Sequence, residues 1–169
     1  MQYSFRKAKP EDQNQIWDIL QTGIKRRKAE GSNQWQDGYP NPDVVNSDIE
    51  KGYGYVLSDD DAVIGYCAIL INDEPEYDRL RGEWLSNEDF VVYHRVAIHE
   101  NYLGKGLAGK MLLHIEEFAK ANNIRSLKAD TNFDNIGMLK LFEKQGYSYC
   151  GEVTFRGSVR KAFEKVLTS

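Results

Sequence analysis

The sequence predicts an α/β fold, in which a mixed and mostly antiparallel sheet of about six to seven strands is flanked by helices. Segments with apolar residues at helical spacing alternate along the chain with short apolar or alternating runs typical of strands. A strand, a glycine-rich loop and a helix follow one another within residues 90–121. The chain closes on two strand-like runs around a short glycine-containing turn, a pattern typical of an antiparallel hairpin.

The first part of the chain is predicted to contain a strand and two helices. Residues 2–8 alternate between apolar and polar side chains, which is typical of a strand. Pro10 suits the first turn of a helix, and apolar residues at helical spacing extend this helix to about Gly31. Residues 31–42 are rich in turn formers and predict a loop, and residues 43–51 predict a short second helix.

Strands dominate the prediction for the middle of the chain. Residues 54–57 and 62–71 are predicted to be two strands around an acidic turn. The second of them is so uniformly apolar that we expect both of its faces to be covered. Residues 72–89 form an acidic and irregular segment, which leads into a further strand at residues 90–98.

The remaining elements are two helices, a strand and a hairpin. Asn135 is a suitable N-cap for the second of these helices, and Gly146 suits the position just after its end. The hairpin is predicted to turn at residues 156–158. The predicted bounds are a helix at 109–121, a strand at 126–131, and hairpin strands at 147–155 and 159–166.

The composition predicts a single domain over residues 1–169. Hydrophobic residues make up 41% and charged residues 28% of the chain, which is ordinary for a globular protein. A net charge of −4 argues against a nucleic-acid partner, which requires a basic face. No apolar run approaches the length of a membrane span and the polar N-terminus predicts no signal peptide, so we expect a cytoplasmic location without a membrane partner.

The cysteines and histidines predict neither a disulfide nor a metal site. Cys67 and Cys150 lie in apolar, strand-like runs, and we expect them to be small buried side chains. The three histidines and two cysteines lack the spacing of metal ligands, so no metal is expected.

The segment between Val96 and Leu113 is the most informative part of the sequence. Gly104, Gly106 and Gly109 lie within six residues, directly before an amphipathic helix. Such a loop lets main-chain N–H groups point at one spot, and the helix adds the positive end of its dipole. The segment therefore predicts an anion site, most often one for a phosphate compound.

Two phosphate-binding patterns compete for this loop. The P-loop pattern, G-x-x-x-x-G-K-[ST], fits Gly104, Gly109 and Lys110. Its last position is Met111, which lacks the hydroxyl that holds Mg²⁺, and too few βα units follow for a P-loop core. The alternative is an acyl-CoA loop of the form R/Q-x-x-G-x-G/A, which falls on Leu103 to Ala108.

The acyl-CoA loop belongs to a longer resemblance to the GNAT N-acetyltransferases. The run VAIHENYLGKGLAGKML resembles motif A of that family, and ADTNFDNIGMLKLFEKQGY resembles motif B. The N-terminal strand and helix and the last two strands resemble the corresponding parts of the family in the same order. The resemblance implies the GNAT acyl-CoA N-acyltransferase fold, in which two central parallel strands splay apart.

The resemblance also implies where acetyl-CoA, the co-substrate, would be held. Main-chain groups of Val96, Ala97 and Ile98 would contact the pantetheine arm, and the glycine loop would bind the pyrophosphate. Asn135 and Phe142 match motif B positions near the cofactor. The loop residues are Leu103, Gly104, Lys105, Gly106, Leu107, Ala108 and Gly109.

Two positions depart from the family pattern. Leu103 stands where the motif has Arg or Gln, which is expected to weaken cofactor affinity. Phe142 stands where many relatives have a Tyr that protonates the departing thiolate, so this role is vacant or moved. Both departures also suit an alternative function, a catalytically weak acyl-CoA-binding sensor or regulatory module.

The implied reaction is transfer of acetyl from acetyl-CoA directly to a primary amine of a small molecule or peptide. The amine must lose a proton before it attacks, because its resting form at neutral pH is ammonium. His94 is the candidate base, on the strand that would align the acyl group and with side-chain parity shared by Val92 and Val96. Tyr147 is the candidate acid; Tyr93 and a solvent proton are the alternatives.

The acceptor is the least determined part of the prediction. Trp35, Tyr39 and Trp84 lie in loop-like segments, and with the acidic residues around Glu74 they predict a pocket for an amine with an apolar body. The alternative is that these aromatic side chains fill space in the hydrophobic core. A homodimer is a further expectation from the family resemblance.

Overall fold

A computed structural model describes residues 3–32 and 34–168. Gln2 of the predicted first strand and Asn33 of the predicted loop lie outside the described residues. The helices are α1 (Gln13–Ala29), α2 (Pro42–Lys51), α3 (Leu107–Ala121) and α4 (Ile136–Lys144). The strands are β1 (Ser4–Lys7), β2 (Gly54–Asp59), β3 (Ala62–Ile71), β4 (Arg81–Gly82), β5 (Phe90–Ile98), β6 (Ser126–Thr131), β7 (Ser148–Phe155) and β8 (Ser158–Val166).

The strands form a mixed, mostly antiparallel sheet with helices flanking it, which confirms the predicted fold class. The order of the strands is β1-β2-β3-β5-β6-β8-β7-β4, so the sheet has eight strands and the prediction of six to seven was too low. The missed strand is β4, which pairs with β7 inside the segment that the sequence marks as irregular. A two-residue strand has no periodicity, so no pattern could reveal it.

The close pairing of β4 with β7 depends on two glycines. Gly82 and Gly151 face each other in the register, with φ angles of 151° and 144°. A Cβ on Gly82 would lie 2.0 Å from the carbonyl oxygen of Cys150, and one on Gly151 would lie 2.3 Å from that of Arg81. The backbones approach each other here because neither residue carries a side chain.

The chain divides into two compact units, of which the first comprises Met1–Ile69 and Arg95–His114. Its core lies between α1, α2 and the strands β2 and β3. α1 buries Ile16, Ile19 and Leu20, the residues that the helical spacing assigns to its inner face. Both faces of β3 are covered from Val63 to Ile69, as its uniformly apolar sequence predicts.

The second unit comprises Leu70–His94 and Ile115–Ser169. The β7–β8 hairpin turns at Arg156 and Gly157, whose φ angles of 47° and 77° are typical of a tight two-residue hairpin turn. One small core packs Tyr77 against Val92, Val153 and Ala162. The parallel register of β5 and β6 runs from Phe90–Ser126 to Val92–Lys128.

Several local predictions are confirmed. α4 begins after Asn135, whose side chain accepts a hydrogen bond from Met138 N at 3.2 Å. Gly146 follows this helix with a φ of 85°. Cys67 and Cys150 are both buried and free, and burial raises the pKa of each thiol. None of the helices within the described ranges has the length and apolar character required to cross a membrane.

Candidate active site

The glycine loop takes the conformation that an anion site requires. A short 3₁₀ turn at Glu100–Tyr102 leads into it, and the chain then passes through Gly104 and Gly106 with φ angles of 78° and 73°. A side chain would be strained at both positions. α3 begins at Leu107, two residues before the predicted start, so Gly109 lies in the first turn of the helix.

The main-chain N–H groups of this loop lead into the first turn of α3. Lys110 N donates to Gly106 O at 3.2 Å, which is a helical hydrogen bond of that turn. The N–H groups of Leu107 and Ala108 come earlier in the turn, where an α-helix supplies no acceptor of its own. A Cβ placed on Gly104 or Gly106 would meet no atom within 4 Å, so the space beside the loop is open. Binding of a pyrophosphate by this loop stays a prediction.

Leu103 leaves an apolar side chain at the mouth of this loop. It is 43% exposed, although burial would stabilise a leucine. Lys105 lies close by with its Nζ 5.3 Å from the ring centroid of Tyr102. The positive charge of the loop is thus carried by a flexible lysine, and position 103 contributes no hydrogen-bond donor beyond its main chain.

The end of β5 is tied to β3. His99 N donates to Ile64 O at 2.8 Å, while Ala97 and Ile98 are buried and Val96 is half-buried. These three residues lie in the first unit with the glycine loop. Contact of their main chain with a pantetheine arm stays a prediction.

A conformational break in β5 separates His94 from Val96. Arg95, the residue between them, has a φ of 57°, which is rare for a residue with a long side chain. This left-handed residue interrupts the regular alternation of the strand. The predicted shared parity of His94 and Val96 assumed regular alternation through Arg95, whereas Val92 and His94 both precede the break.

A buried polar cluster, which we call the Arg95 clasp, holds this break in place. Arg95 donates from Nε to Asp48 Oδ2 at 3.0 Å and from Nη2 to Asp48 Oδ1 at 2.7 Å, and it also contacts the hydroxyl of Tyr39. Tyr66 donates its hydroxyl to the same Asp48 at 2.6 Å. The Arg95 clasp consists of Tyr39, Asp48, Tyr66 and Arg95.

The charges of the clasp stabilise one another inside the first unit. Burial lowers the pKa of Arg95, but Tyr39 and Asp48 outweigh it, so the pKa lies above its ordinary value. Burial raises the pKa of Tyr66, and the Asp48 carboxylate raises it further. Sequence reasoning missed the clasp; an arginine within the apolar β5 and an aspartate within the amphipathic α2 were the available signals.

His94 is paired with a carboxylate. Its Nε2 lies 2.8 Å from Oε2 of Glu74, and the two side chains are 18% and 13% exposed. The ring also meets the ring of Phe155 edge to face, with centroids 6.4 Å apart. The sequence predicted His94 as the base but placed Glu74 in an acceptor pocket. Their contact joins residues twenty positions apart, so no local pattern could reveal it.

The candidate acid Tyr147 lies in an aromatic cluster of the second unit. Its hydroxyl accepts a hydrogen bond from Tyr93 at 3.0 Å, and its ring contacts Phe142 at 5.1 Å. Phe142 is 1% exposed and also packs on Phe163. Burial raises the pKa of Tyr147, so the hydroxyl keeps its proton at neutral pH and is a weak acid.

The predicted acceptor-binding aromatics occupy different surroundings. Trp35 packs against the core of the first unit, where Gly23 leaves room for its ring. Tyr39 belongs to the Arg95 clasp. Trp84, in the second unit, donates from Nε1 to Tyr77 O at 3.0 Å and carries Lys128 Nζ 4.4 Å from its ring centroid. Each residue has a structural role, and their part in acceptor binding stays a prediction.

Comparisons with known proteins agree with the fold. The model of a family described as acetyltransferase (GNAT) matches residues 18–147. The chain is 33% identical to a GNAT-family acetyltransferase of Streptococcus agalactiae 2603, with a TM-score of 0.91 over 99% of this chain and 96% of that one. It is 24% identical to YesJ of Bacillus subtilis (strain 168), an uncharacterized N-acetyltransferase, over 94% of this chain and 87% of that protein.

A more distant structure has a ligand. YncA of Salmonella typhimurium, a putative acetyltransferase solved with its cofactor acetyl-CoA, is 17% identical and has a TM-score of 0.70. The comparison covers 100% of this chain and 96% of that one. At this identity the likeness concerns the fold.

Proposed function

Because the chain belongs to the GNAT acetyltransferase family, we propose that it transfers acetyl from acetyl-CoA directly to a primary amine of a small molecule or peptide. Membership of this family makes the chain an acetyl-CoA-dependent acetyltransferase. The proposal adds that the acetyl group goes to an amine. The single observation that carries the proposal is the open glycine loop at the start of α3, where main-chain donors and the helix dipole favour a pyrophosphate.

Acetyl-CoA would supply the acetyl group as a thioester, whose carbonyl is open to attack by an amine. The loop from Leu103 to Gly109 would hold the pyrophosphate through its main chain, with Val96 to Ile98 along the pantetheine arm. Asn135 and Phe142 are proposed on the cofactor side by their positions in motif B. The bound acetyl-CoA of YncA supports the same co-substrate here.

His94 is the proposed base. Its imidazole takes a proton from the acceptor ammonium, which frees the amine lone pair to attack the thioester carbonyl. Collapse of the tetrahedral intermediate breaks the carbon–sulfur bond, the nitrogen loses its second proton to water as the amide forms, and the thiolate takes up a proton. Partial exposure of His94 supports this role, because the ring is neither sealed in the core nor fully in water.

Tyr147 is the proposed donor of that last proton, with solvent as the alternative source. Its raised pKa keeps the proton available but makes its transfer slow. Phe142 has no proton to give. This arrangement, together with Leu103, also favours the second candidate function, an acyl-CoA-binding sensor with weak turnover.

The acceptor class and the biological setting are proposals as well. Trp35, Tyr39 and Trp84 are each proposed as acceptor-binding residues for an amine with an apolar body. We further propose a cytoplasmic protein, with a homodimer as a possible assembly. These proposals rest on the composition and on the family. A screen of primary amines tests the proposed acceptor class.

Calorimetric titration separates the acyl-CoA loop from the P-loop alternative. We expect acetyl-CoA to bind with a micromolar Kd and Mg·ATP not to bind, because Met111 offers no hydroxyl for the metal. Thiol release from acetyl-CoA is then followed with a panel of primary amines. Binding without turnover on any amine would favour the sensor, and binding of Mg·ATP alone would overturn the proposal.

Leu103→Arg should strengthen acetyl-CoA binding by about 3- to 10-fold, measured by the same titration. The guanidinium would add charge-assisted hydrogen bonds to the pyrophosphate, and an exposed site limits the gain to about 1 kcal/mol. Leu113→Arg is the matched control, because Leu113 is 53% exposed on α3 and outside the loop. Equal gains in both variants would show that long-range charge, and not the loop position, governs the affinity.

A further inference from the structure

Glu74 and His94 form a pair whose chemistry constrains the imidazole. A carboxylate that is ionised can only accept hydrogen bonds. Where Glu74 is ionised, the 2.8 Å contact of its Oε2 with His94 Nε2 places the shared proton on the ring nitrogen. The neutral ring then has its free lone pair on Nδ1.

The backbone on both sides of Glu74 is anchored. On one side, Asn72 N donates to Phe90 O at 3.0 Å, and Phe90 N donates to Asn72 Oδ1 at 2.9 Å. On the other side, Tyr77 is 2% exposed and donates its hydroxyl to Asp130 Oδ2 at 2.7 Å. Glu74 lies between these two anchors, so its carboxylate is presented from a fixed stretch of chain.

The surroundings of the pair favour a defined geometry. Phe155 packs edge to face on the His94 ring, and the same Phe155 ring contacts Tyr77 and the Arg160 guanidinium. Further charged or titratable groups are linked to the pair through these rings, since Tyr77 donates to Asp130 and the Arg160 guanidinium lies over the Phe155 ring. Arg160 Nη1 lies 3.8 Å from Asp130 Oδ1, so the Asp130 carboxylate partly offsets the positive charge of Arg160.

We propose that Glu74 is a positioning residue, which fixes His94 in the Nε2–H tautomer and leaves Nδ1 as the atom that accepts the proton of the acceptor amine. The catalytic half of this inference rests on the proposed function. In the reaction, Nδ1 gains the proton that the ammonium loses, and the resulting imidazolium keeps its Nε2–H bond to Glu74. The carboxylate then stabilises the positive charge on the ring.

The tautomer is measured by ¹⁵N–¹H correlation spectra at a pH where the imidazole is neutral. The chain has three histidines, and the spectrum of His94→Gln identifies the signals of His94. We expect one protonated nitrogen, Nε2, and one nitrogen of the unprotonated type, Nδ1. Glu74→Leu removes the carboxylate that accepts the hydrogen bond from Nε2–H. The two tautomers should then exchange, so the chemical shifts of both nitrogens should become intermediate.

Glu88→Leu is the matched control. Glu88 lies on the same segment, residues 72–89, and pairs with the exposed Arg125 at 3.4 Å, so its loss changes the net charge by the same amount without removing the partner of His94. The control should leave the tautomer and kcat unchanged. Glu74→Gln retains an oxygen that can accept from Nε2–H, and it should preserve the tautomer and part of kcat.

Measurement of kcat tests the proposed role of Glu74 in catalysis. Glu74→Leu should lower kcat by about 10- to 100-fold, as loss of an orienting partner does at other sites, with KM for acetyl-CoA unchanged. A wild-type ring protonated on Nδ1, or a tautomer or kcat that Glu74→Leu leaves unchanged, would overturn the inference. Greater loss in Glu74→Leu than in His94→Gln would make Glu74 the base itself. If wild type turns over no amine, the proposed function fails while the tautomer result still stands.

Discussion

Replacing Asp48 with alanine should lower the free energy of unfolding by about 3–5 kcal/mol, because removal of one partner of a buried ion pair leaves the other charge uncompensated. Asp48 accepts two hydrogen bonds from Arg95 and one from Tyr66. The Arg95 side chain is 10% exposed and cannot reach bulk water without moving. Urea unfolding followed by fluorescence measures the change.

Glu50→Ala provides the control for this experiment. Glu50 is exposed on the same helix α2, so its replacement tests helix propensity and net charge without disturbing the Arg95 clasp. It should change the free energy of unfolding by less than about 0.5 kcal/mol. A loss below about 1 kcal/mol in Asp48→Ala would mean that Arg95 finds water or another partner, and that the clasp contributes little.

The clasp matters for the proposed chemistry as well as for stability. A non-glycine residue with positive φ costs on the order of 1–3 kcal/mol, and it persists where the surrounding contacts hold it. Arg95 has this conformation between the proposed base and the proposed pantetheine-binding residues. We therefore infer that the clasp holds Arg95 in this conformation.

Replacing His94 with glutamine should lower kcat by about 10²- to 10³-fold, because general base catalysis contributes this much when the acceptor must be deprotonated. KM for acetyl-CoA should change little, since His94 is not among the residues proposed to hold the cofactor. The measurement is thiol release with the best amine of the panel, together with calorimetric titration of the variant with acetyl-CoA.

His114→Gln is the matched control for this substitution. His114 stacks on Phe5, with ring centroids 4.8 Å apart, and lies in the middle of α3, outside the glycine loop. It should retain kcat within about twofold, as a substitution away from the reacting atoms does. A loss of less than threefold in His94→Gln would exclude His94 as the base and direct attention to Glu74.

Much of the fold was readable from local patterns. The helical spacing of Ile16, Ile19 and Leu20 and the capping role of Asn135 follow from residues close together in the chain, and the structure confirms them. The glycine loop was equally local, because positive φ angles at Gly104 and Gly106 are a property of glycine itself. Family membership follows from the same loop and from the order of the elements around it.

Other features had no local pattern to reveal them. β4 exists because Gly82 meets Gly151, almost seventy residues away, and two residues carry no period. The predicted start of α3 was two residues late, since the loop residue Leu107 is buried and joins the helix. These differences arise where a distant contact decides the conformation of a short segment.

The sequence by itself determined the fold class, the glycine loop and the family, and it predicted His94 as the candidate base. The tertiary structure alone decided that Glu74 pairs with His94 and that Arg95 and Asp48 pair beneath the break in β5. The physical reason is the range of the interactions. Backbone preference and hydrophobic periodicity act between near neighbours, whereas a buried charge takes as its partner whichever opposite charge the folded chain brings within hydrogen-bonding distance.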